Sequence, residues 1–258
     1  MDLRLDQSLG EGYRSSAQLA RVLTQGWVAR EAYCLKCGAD NLDPTPQDTR
    51  TLDFCCARCD EPYELKSSKQ PFRHRVLNGE YSTFMRAIES HDNPNLLLLN
   101  YNLARATVTD FLGIPRHTLS RLTIVPRRPL GPNARRAGWQ GCTIDLSGLP
   151  RTALVPIVAS GHPRTRSVVL RDWRQFDFIG EAGQLGRDWL PDMISCVSRI
   201  ESEDFDLSTA YRFESELRLL HPRNYNVRPK IRQQLQILVG HGLITRVGPG
   251  LCRRTSRL

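Results

Sequence analysis

The residues with the clearest chemical use lie between Cys34 and Lys66. Cys34-Leu35-Lys36-Cys37 and Cys56-Ala57-Arg58-Cys59 are two CxxC pairs with 18 residues between them, 38–55. A two-residue gap lets a tight turn aim two sulfurs at one ion, and Gly38, directly after the first pair, suits such a turn. Four thiolates close a tetrahedron and leave no open position, so zinc held here would stabilise the fold and not catalyse. The competing reading is buried free thiols, a common fate of cysteine. Cys55 could stand in for Cys56; Cys56 is preferred because it completes the second CxxC. The other cysteines, Cys142, Cys196 and Cys252, are isolated and read as core or incidental thiols.

The second cysteine pair is flanked by Asp53 on one side and Glu64-Leu65-Lys66 on the other. Thr51–Phe54 reads as a strand entering the knuckle and Pro62–Lys66 as a strand leaving it, so the knuckle is expected at the tip of a β-hairpin. Side chains two apart share a strand face, which puts Glu64 and Lys66 together and sends Tyr63 and Leu65 to the core. Hairpin pairing then brings Asp53 beside Glu64. Two carboxylates at close range repel unless a cation sits between them, and hard oxygen ligands favour Mg²⁺. Such a metal, with a lysine beside it, can activate water against a phosphodiester. The competing reading is an ion pair on a solvated strand face, and the short pattern alone is weak.

These groups need elements to hold them. Ser16–Ala32 has Leu19, Val22, Leu23, Trp27 and Val28 at helical spacing, with Ser16 as the expected N-cap. Gly79–Asp92 reads as a helix carrying Phe84, Met85 and Ile88. Asn95–Tyr101 is an almost continuous apolar run, expected as a strand buried on both faces, and Thr107–Ile114 as another. The expected order is α-β-β-α-β, a nuclease-like α/β core. Pro126–Gly141 is a Pro-, Gly- and Arg-rich loop with Arg127, Arg128, Arg135 and Arg136 beside Trp139. Trp139 suits either stacking on a base or plugging the core.

The C-terminal quarter reads as helices at Leu185–Ile200, Leu207–Leu220 and Val227–Val239, then strands at Leu243–Val247 and Leu251–Arg254 around Gly248-Pro249-Gly250. That order is a winged helix-turn-helix. Ile231, Leu235 and Leu238 face inward, which leaves Arg228, Lys230, Arg232, Gln233 and Gln236 for base edges and phosphates. Charge agrees. The 258-residue chain carries +9, from 36 Lys+Arg and 27 Asp+Glu. Residues 222–258 hold eight of the basic residues and no acid, leaving 28 − 27 = +1 for the rest. A basic end on a near-neutral body points to a polyanion such as DNA. There is no apolar run long enough to span a bilayer, and no apolar segment follows a basic start, so a soluble, cytoplasmic protein of a prokaryotic cell is expected; no obligate protein partner is evident.

Several stretches resemble the DpnI-type, methyl-directed restriction endonucleases, the Dam-replacing proteins, nearly end to end. They are RxLTxxWV in the first helix, YCxxCG, DFxCxxC, ELKSxK, NPNxxxLxY, PLxPxARRAGWxGCxIDLS, YRFES and KIRQQLQIL. The resemblance implies a PD-(D/E)XK nuclease core with an inserted four-cysteine zinc site over 1–182, followed by a winged helix domain over 183–258. It implies Mg²⁺-dependent cleavage of double-stranded DNA at GATC sites bearing N6-methyladenine. By that resemblance Asp53, Glu64 and Lys66 are catalytic, and Cys34, Cys37, Cys56 and Cys59 hold zinc. Trp139, beside Arg135 and Arg136, falls near the methyladenine pocket. Two other classes fit the residues alone: a zinc-containing winged-helix regulator that does not cut, and a repair nuclease that reads DNA structure.

Overall fold

A computed structural model describes residues 1–46 and 52–258, with backbone alone at 184 and 185. The strands are β1 (Asp43–Pro44), β2 (Phe54–Cys55), β3 (Pro62–Ser68), β4 (Arg75–Glu80), β5 (Asn95–Asn102), β6 (Thr107–Ile114), β7 (Ile124–Pro126), β8 (Gly141–Asp145), β9 (Val155–Ala159), β10 (His162–Pro163), β11 (Asp204–Asp206), β12 (Ile244–Gly248) and β13 (Leu251–Arg254). The helices are α1 (Ser16–Glu31), α2 (Tyr81–Glu89), α3 (Arg166–Arg174), α4 (Asp177–Glu181), α5 (Gln184–Ser198), α6 (Leu207–Tyr211), α7 (Glu214–Leu220) and α8 (Val227–Gly240). Among the described residues no helix is long and apolar enough to cross a membrane.

A seven-stranded sheet, ordered β1-β2-β3-β5-β6-β9-β10, is the frame. β5 sits at its centre, parallel to β3 and antiparallel to β6. Its apolar run is buried on both faces, as expected of a central strand. Leu97 and Leu99 join one core with Leu23, Trp27, Val28, Phe111 and Trp173 beneath α1 and α3. Leu96 and Leu98 join a second core with Val76, Phe84, Ile88 and Ile144. Each such fully buried leucine contributes about 1.5–3 kcal/mol. The second core is roofed by α2 and a small antiparallel sheet, β4-β8-β7. The large sheet is therefore sandwiched, with helices on one face and a smaller sheet on the other.

The C-terminal part has its own core, built from Trp189, Met193, Ile194, Val197, Ile231, Leu235 and Leu238 among others. Helix α5, strand β11, the α6–α7 pair, helix α8 and the β12–β13 hairpin form a winged helix. Its sheet order is β11-β13-β12.

Several expectations need correction. The N-cap of α1 is Ser15, not Ser16, and it makes no side-chain capping bond. The helix expected from Gly79 starts at Tyr81, because 75–80 is a strand paired with β8. The expected helix Leu207–Leu220 is two short helices broken at Arg212-Phe213. The wing has a third strand, β11, that the sequence pattern does not announce. Of the strand expected at Thr51–Phe54, Thr51 lies outside the described residues; pairing starts at Phe54.

Candidate active site and metal centre

The two cysteine knuckles fold alike. In the first, the Gly38 amide donates to the Cys34 carbonyl at 2.9 Å and the Cys34 amide to the Ala39 carbonyl at 2.9 Å. In the second, the Asp60 amide donates to the Cys56 carbonyl at 2.8 Å and the Cys56 amide to the Glu61 carbonyl at 3.1 Å. The fifth residue of each turn has positive φ, 71° at Gly38 and 54° at Asp60, and glycine fills only the first position. The sulfurs of Cys34, Cys37, Cys56 and Cys59 all lie within 4.8 Å of one another. Cys34 to Cys59 and Cys37 to Cys56 are both 3.6 Å. Zn–S bonds of about 2.3 Å give a tetrahedron with edges of about 3.8 Å, so the four thiols fit zinc. Cys55 is outside the cluster, which settles the choice in favour of Cys56.

Hydrogen bonds and ion pairs brace the cluster from outside. The buried Tyr63 hydroxyl accepts from the Leu35 amide at 3.1 Å, which leaves its proton for the Cys34 sulfur at 3.3 Å. Glu61, also buried, ties the knuckles together: Lys36 reaches it at 2.7 Å, Asn95 at 2.9 Å and Arg116 at 3.2 Å. Burial works against the Glu61 carboxylate, but the hydrogen bonds from Lys36 and Asn95 and the charge of Arg116 hold its pKa below the usual range.

The second knuckle is the tip of the β2–β3 hairpin, with Phe54 opposite Tyr63 and Cys55 opposite Pro62. Tyr63 is buried in the helix-side core, and Leu65 packs against that core. Glu64 and Lys66 pair in register with Leu96 and Leu98, and so face the space under the small sheet. Lys66 Nζ donates to Glu64 Oε1 at 2.5 Å and to Asn78 Oδ1 on β4 at 2.7 Å. Asn78 Oδ1 also accepts from the Gly79 amide at 2.8 Å, which fixes its orientation. Asp53 is oriented too: Gln25 Nε2 reaches Oδ1 at 3.0 Å, and the Leu65 amide, between Glu64 and Lys66, reaches Oδ2 at 2.8 Å.

Glu64 is only 7% exposed, and its Oε2 has no hydrogen-bond partner. Burial pushes its pKa up; Lys66 opposes this and the charge of Asp53 adds to it. An orphaned, buried carboxylate oxygen facing a second carboxylate's charge is the environment a hard cation relieves. Sequence reasoning misses Gln25 and Asn78. Gln25 falls at a variable position of the first-helix motif, and Asn78 reaches the site only through the stacking of two sheets.

The Pro126–Gly141 loop grows from the β7–β8 turn. Leu130 donates to the Trp139 carbonyl at 2.9 Å, and Gly138 to the Leu130 carbonyl at 3.0 Å, closing the loop into a compact arm. Trp139 is half-buried. Its ring covers Gly141, where any Cβ would lie 2.8 Å from it, and carries Arg136 on its face at 5.0 Å. It is neither a core plug nor fully free. Arg135 and Arg136 are exposed.

Along α8, Arg228, Arg232, Gln233 and Gln236 are exposed as expected. Lys230 is a correction: it is half-buried, 6.0 Å above the Trp189 ring. Most of these groups already have partners within the protein. Arg228 pairs with Glu214 at 2.7 Å, Arg232 donates to Tyr211 at 2.8 Å, and Lys230 donates to Gln233 at 2.9 Å. Tyr225, in the turn before α8, is 91% exposed, and nothing in its sequence surroundings singles it out.

Two family models match the chain. One, described as DpnI, the Dam-replacing family, matches residues 1–182. The other, the Dam-replacing HTH domain, matches residues 186–254.

Proposed function

The chain belongs to the Dam-replacing family of restriction endonucleases, and from that premise we propose that it is a type II, methyl-directed enzyme cutting double-stranded DNA at GATC sites that carry N6-methyladenine. Residues 1–182 act as a PD-(D/E)XK endonuclease domain with a structural zinc, and 183–258 as the winged helix that holds the duplex. The observation that carries this reading is the buried, unpartnered Glu64 Oε2 on the same strand face as Lys66 and within the field of Asp53.

Asp53 and Glu64 would hold Mg²⁺, which when bound supplies charge neutralisation at the phosphate and a more acidic water. Gln25 and the Leu65 amide keep Asp53 turned toward Glu64. Asn78 and Glu64 hold the Lys66 ammonium in place, where it orients the attacking water and offsets charge building on the phosphate oxygens. In-line attack on phosphorus breaks the P–O3′ bond and leaves a 3′-hydroxyl and a 5′-phosphate.

Methyl recognition falls to Trp139, with Arg135 and Arg136 on the neighbouring phosphates. Burying one methyl group contributes about 0.8 kcal/mol, a preference of only a few-fold. Strong discrimination therefore requires α8, through Arg228, Lys230, Arg232, Gln233 and Gln236, to contribute as well. The test is digestion of one plasmid prepared from adenine-methylating and non-methylating hosts, with Mg²⁺ present. Cleavage of the methylated plasmid alone is expected. Equal resistance of both ends the proposal, and equal cutting removes its methyl requirement.

A further inference from the structure

The segment joining the two strands of the candidate active site is the strongest unassigned surface of the molecule. Residues 67–79 contain Lys69, Arg73, His74 and Arg75 and no acid. All four side chains are exposed. Among the described residues, Lys69, Arg73 and Arg75 have no ion-pair partner and no side-chain hydrogen bond. The acid facing them is Asp145, opposite Arg75 in the β4–β8 register, and its Oδ1 is taken by Ser147.

The segment is fixed and not a loose tail of charge. Phe72 packs into the core under the small sheet. Asn100 of β5, itself buried, donates to the Ser68 carbonyl at 3.1 Å and to the Gln70 carbonyl at 2.6 Å. At the far end, the Leu146 amide donates to the His74 carbonyl at 2.8 Å. Side chains held out from an anchored backbone lose less entropy when they bind than those on a floppy one.

Its position relative to the reacting groups is set by β4. Arg75 starts that strand and Glu80 ends it, opposite Gly141, where the arginine loop returns to the sheet. Asn78, between them, touches Lys66. At about 3.3 Å per residue, β4 separates the two basic segments by about 17 Å. Each DNA strand carries one phosphate per about 3.4 Å of helix axis, so the two segments reach backbone several phosphates apart.

We infer that Lys69, Arg73 and Arg75 form a second DNA-backbone clamp, gripping phosphates on the side of the reacting bond opposite the arginine loop. This deepens the nuclease reading and rests on it. Ions aimed at phosphate supply affinity without sequence information, so the clamp sets salt dependence and leaves methyl selectivity alone.

The test is duplex binding by the full chain, followed by fluorescence anisotropy over a salt series. No divalent cation is added, so the duplex stays intact, and no chelator is used, so the zinc is kept. The variant Lys69→Ala/Arg73→Ala/Arg75→Ala is compared with a charge-conserving Lys69→Arg/Arg73→Lys/Arg75→Lys. The alanine variant should bind at least tenfold more weakly at low salt, by the same factor on methylated and unmethylated GATC duplexes. Its slope of log affinity against log salt should be shallower by about 2–3, while the charge-conserving variant keeps the wild-type slope. An unchanged slope overturns the clamp. So does a loss confined to the methylated duplex, or an equal loss in the charge-conserving variant. If the wild-type chain itself binds neither duplex, the underlying nuclease reading fails instead.

Discussion

The hairpin site and the recognition helix are both rich in polar groups, but they satisfy them in opposite ways. Under the small sheet, Glu64 is buried with one oxygen unpartnered, and Asn78 Nδ2 is buried and unpartnered beside it. Valence is left open at the place where a ligand would close it. Along α8 the outward groups are occupied by neighbours: the exposed Arg228 by Glu214, the exposed Arg232 by Tyr211 and the half-buried Lys230 by Gln233. Gln234, turned into the core with its amide unpartnered, is the exception. A buried polar atom without a partner costs about 1–3 kcal/mol, so the first arrangement holds an unfavourable desolvation that a cation relieves. Exposed pairs cost little to exchange, so on the proposed function the second set could trade internal partners for phosphates and bases. On the proposed function, one region would hold its shape before its ligand arrives and the other would rearrange on contact.

Removing zinc tests this contrast most severely. Structural zinc binding is worth about 10 kcal/mol or more of folding free energy. Cys56→Ser should abolish cleavage with Mg²⁺ in excess, and both that variant and chelation should expose the amides of residues 54–66 to hydrogen exchange, while those of 227–240 stay protected. Cys55→Ser should keep one zinc per chain. If protection of α8 is lost in step, the two regions are one cooperative unit and the contrast between them disappears.

Glu64→Gln comes next. It keeps the shape of the side chain and removes the charge. Metal charge stabilisation is worth several kcal/mol, so cleavage should fall by about a thousandfold or more, with duplex affinity within about twofold of wild type. A matching loss of affinity would mean that the site serves grip and not chemistry.

The joint between the regions is the third target. Asp192 of α5 is 1% exposed and takes Ser120 at 2.6 Å, Arg121 at 2.9 Å and His221 at 2.9 Å. The His221 ring stacks on Trp189 with centroids 3.8 Å apart. Burial raises the Asp192 pKa, but these hydrogen bonds and the Arg121 charge override it and hold the carboxyl below the usual range. Asp192→Asn leaves Arg121 without its counter-charge, so unfolding free energy should drop by about 3 kcal/mol in denaturant titration. A drop below about 1 kcal/mol would mean that the two regions are only loosely joined.

What can be read beforehand follows the range of the contacts. Each CxxC pair depends on spacing within one tight turn, and the shared face of Glu64 and Lys66 on spacing within one strand, and both are legible. The winged helix is legible in its long helices, where Ile231, Leu235 and Leu238 mark one face, but not in β11, because Asp-Phe-Asp alternates over too short a run to stand out. Strand β4 escapes because its inward positions are Val76 and Asn78. A polar residue where alternation calls for an apolar one erases the strand signal, and that same Asn78 is the group that holds Lys66. The site's second layer is hidden by the chemistry that makes it useful.

The smallest effect comes from Glu214, which holds Arg228 at 2.7 Å and Arg218 at 2.7 Å. Both arginines lie at the surface, and Arg228 also rests on the Tyr211 ring at 5.2 Å. If α8 binds DNA by exchanging partners, Glu214 competes with phosphate for Arg228, and Glu214→Gln should raise duplex affinity a few-fold at low salt. The gain should shrink as salt rises, because screening weakens the competing pair and the phosphate contact together. Tyr211 keeps the arginine side chain in place, so the change in charge acts without a change in position. An affinity that falls in Glu214→Gln would mean that the pair presents Arg228 to DNA and does not restrain it. The recognition helix would then be as preorganised as the hairpin.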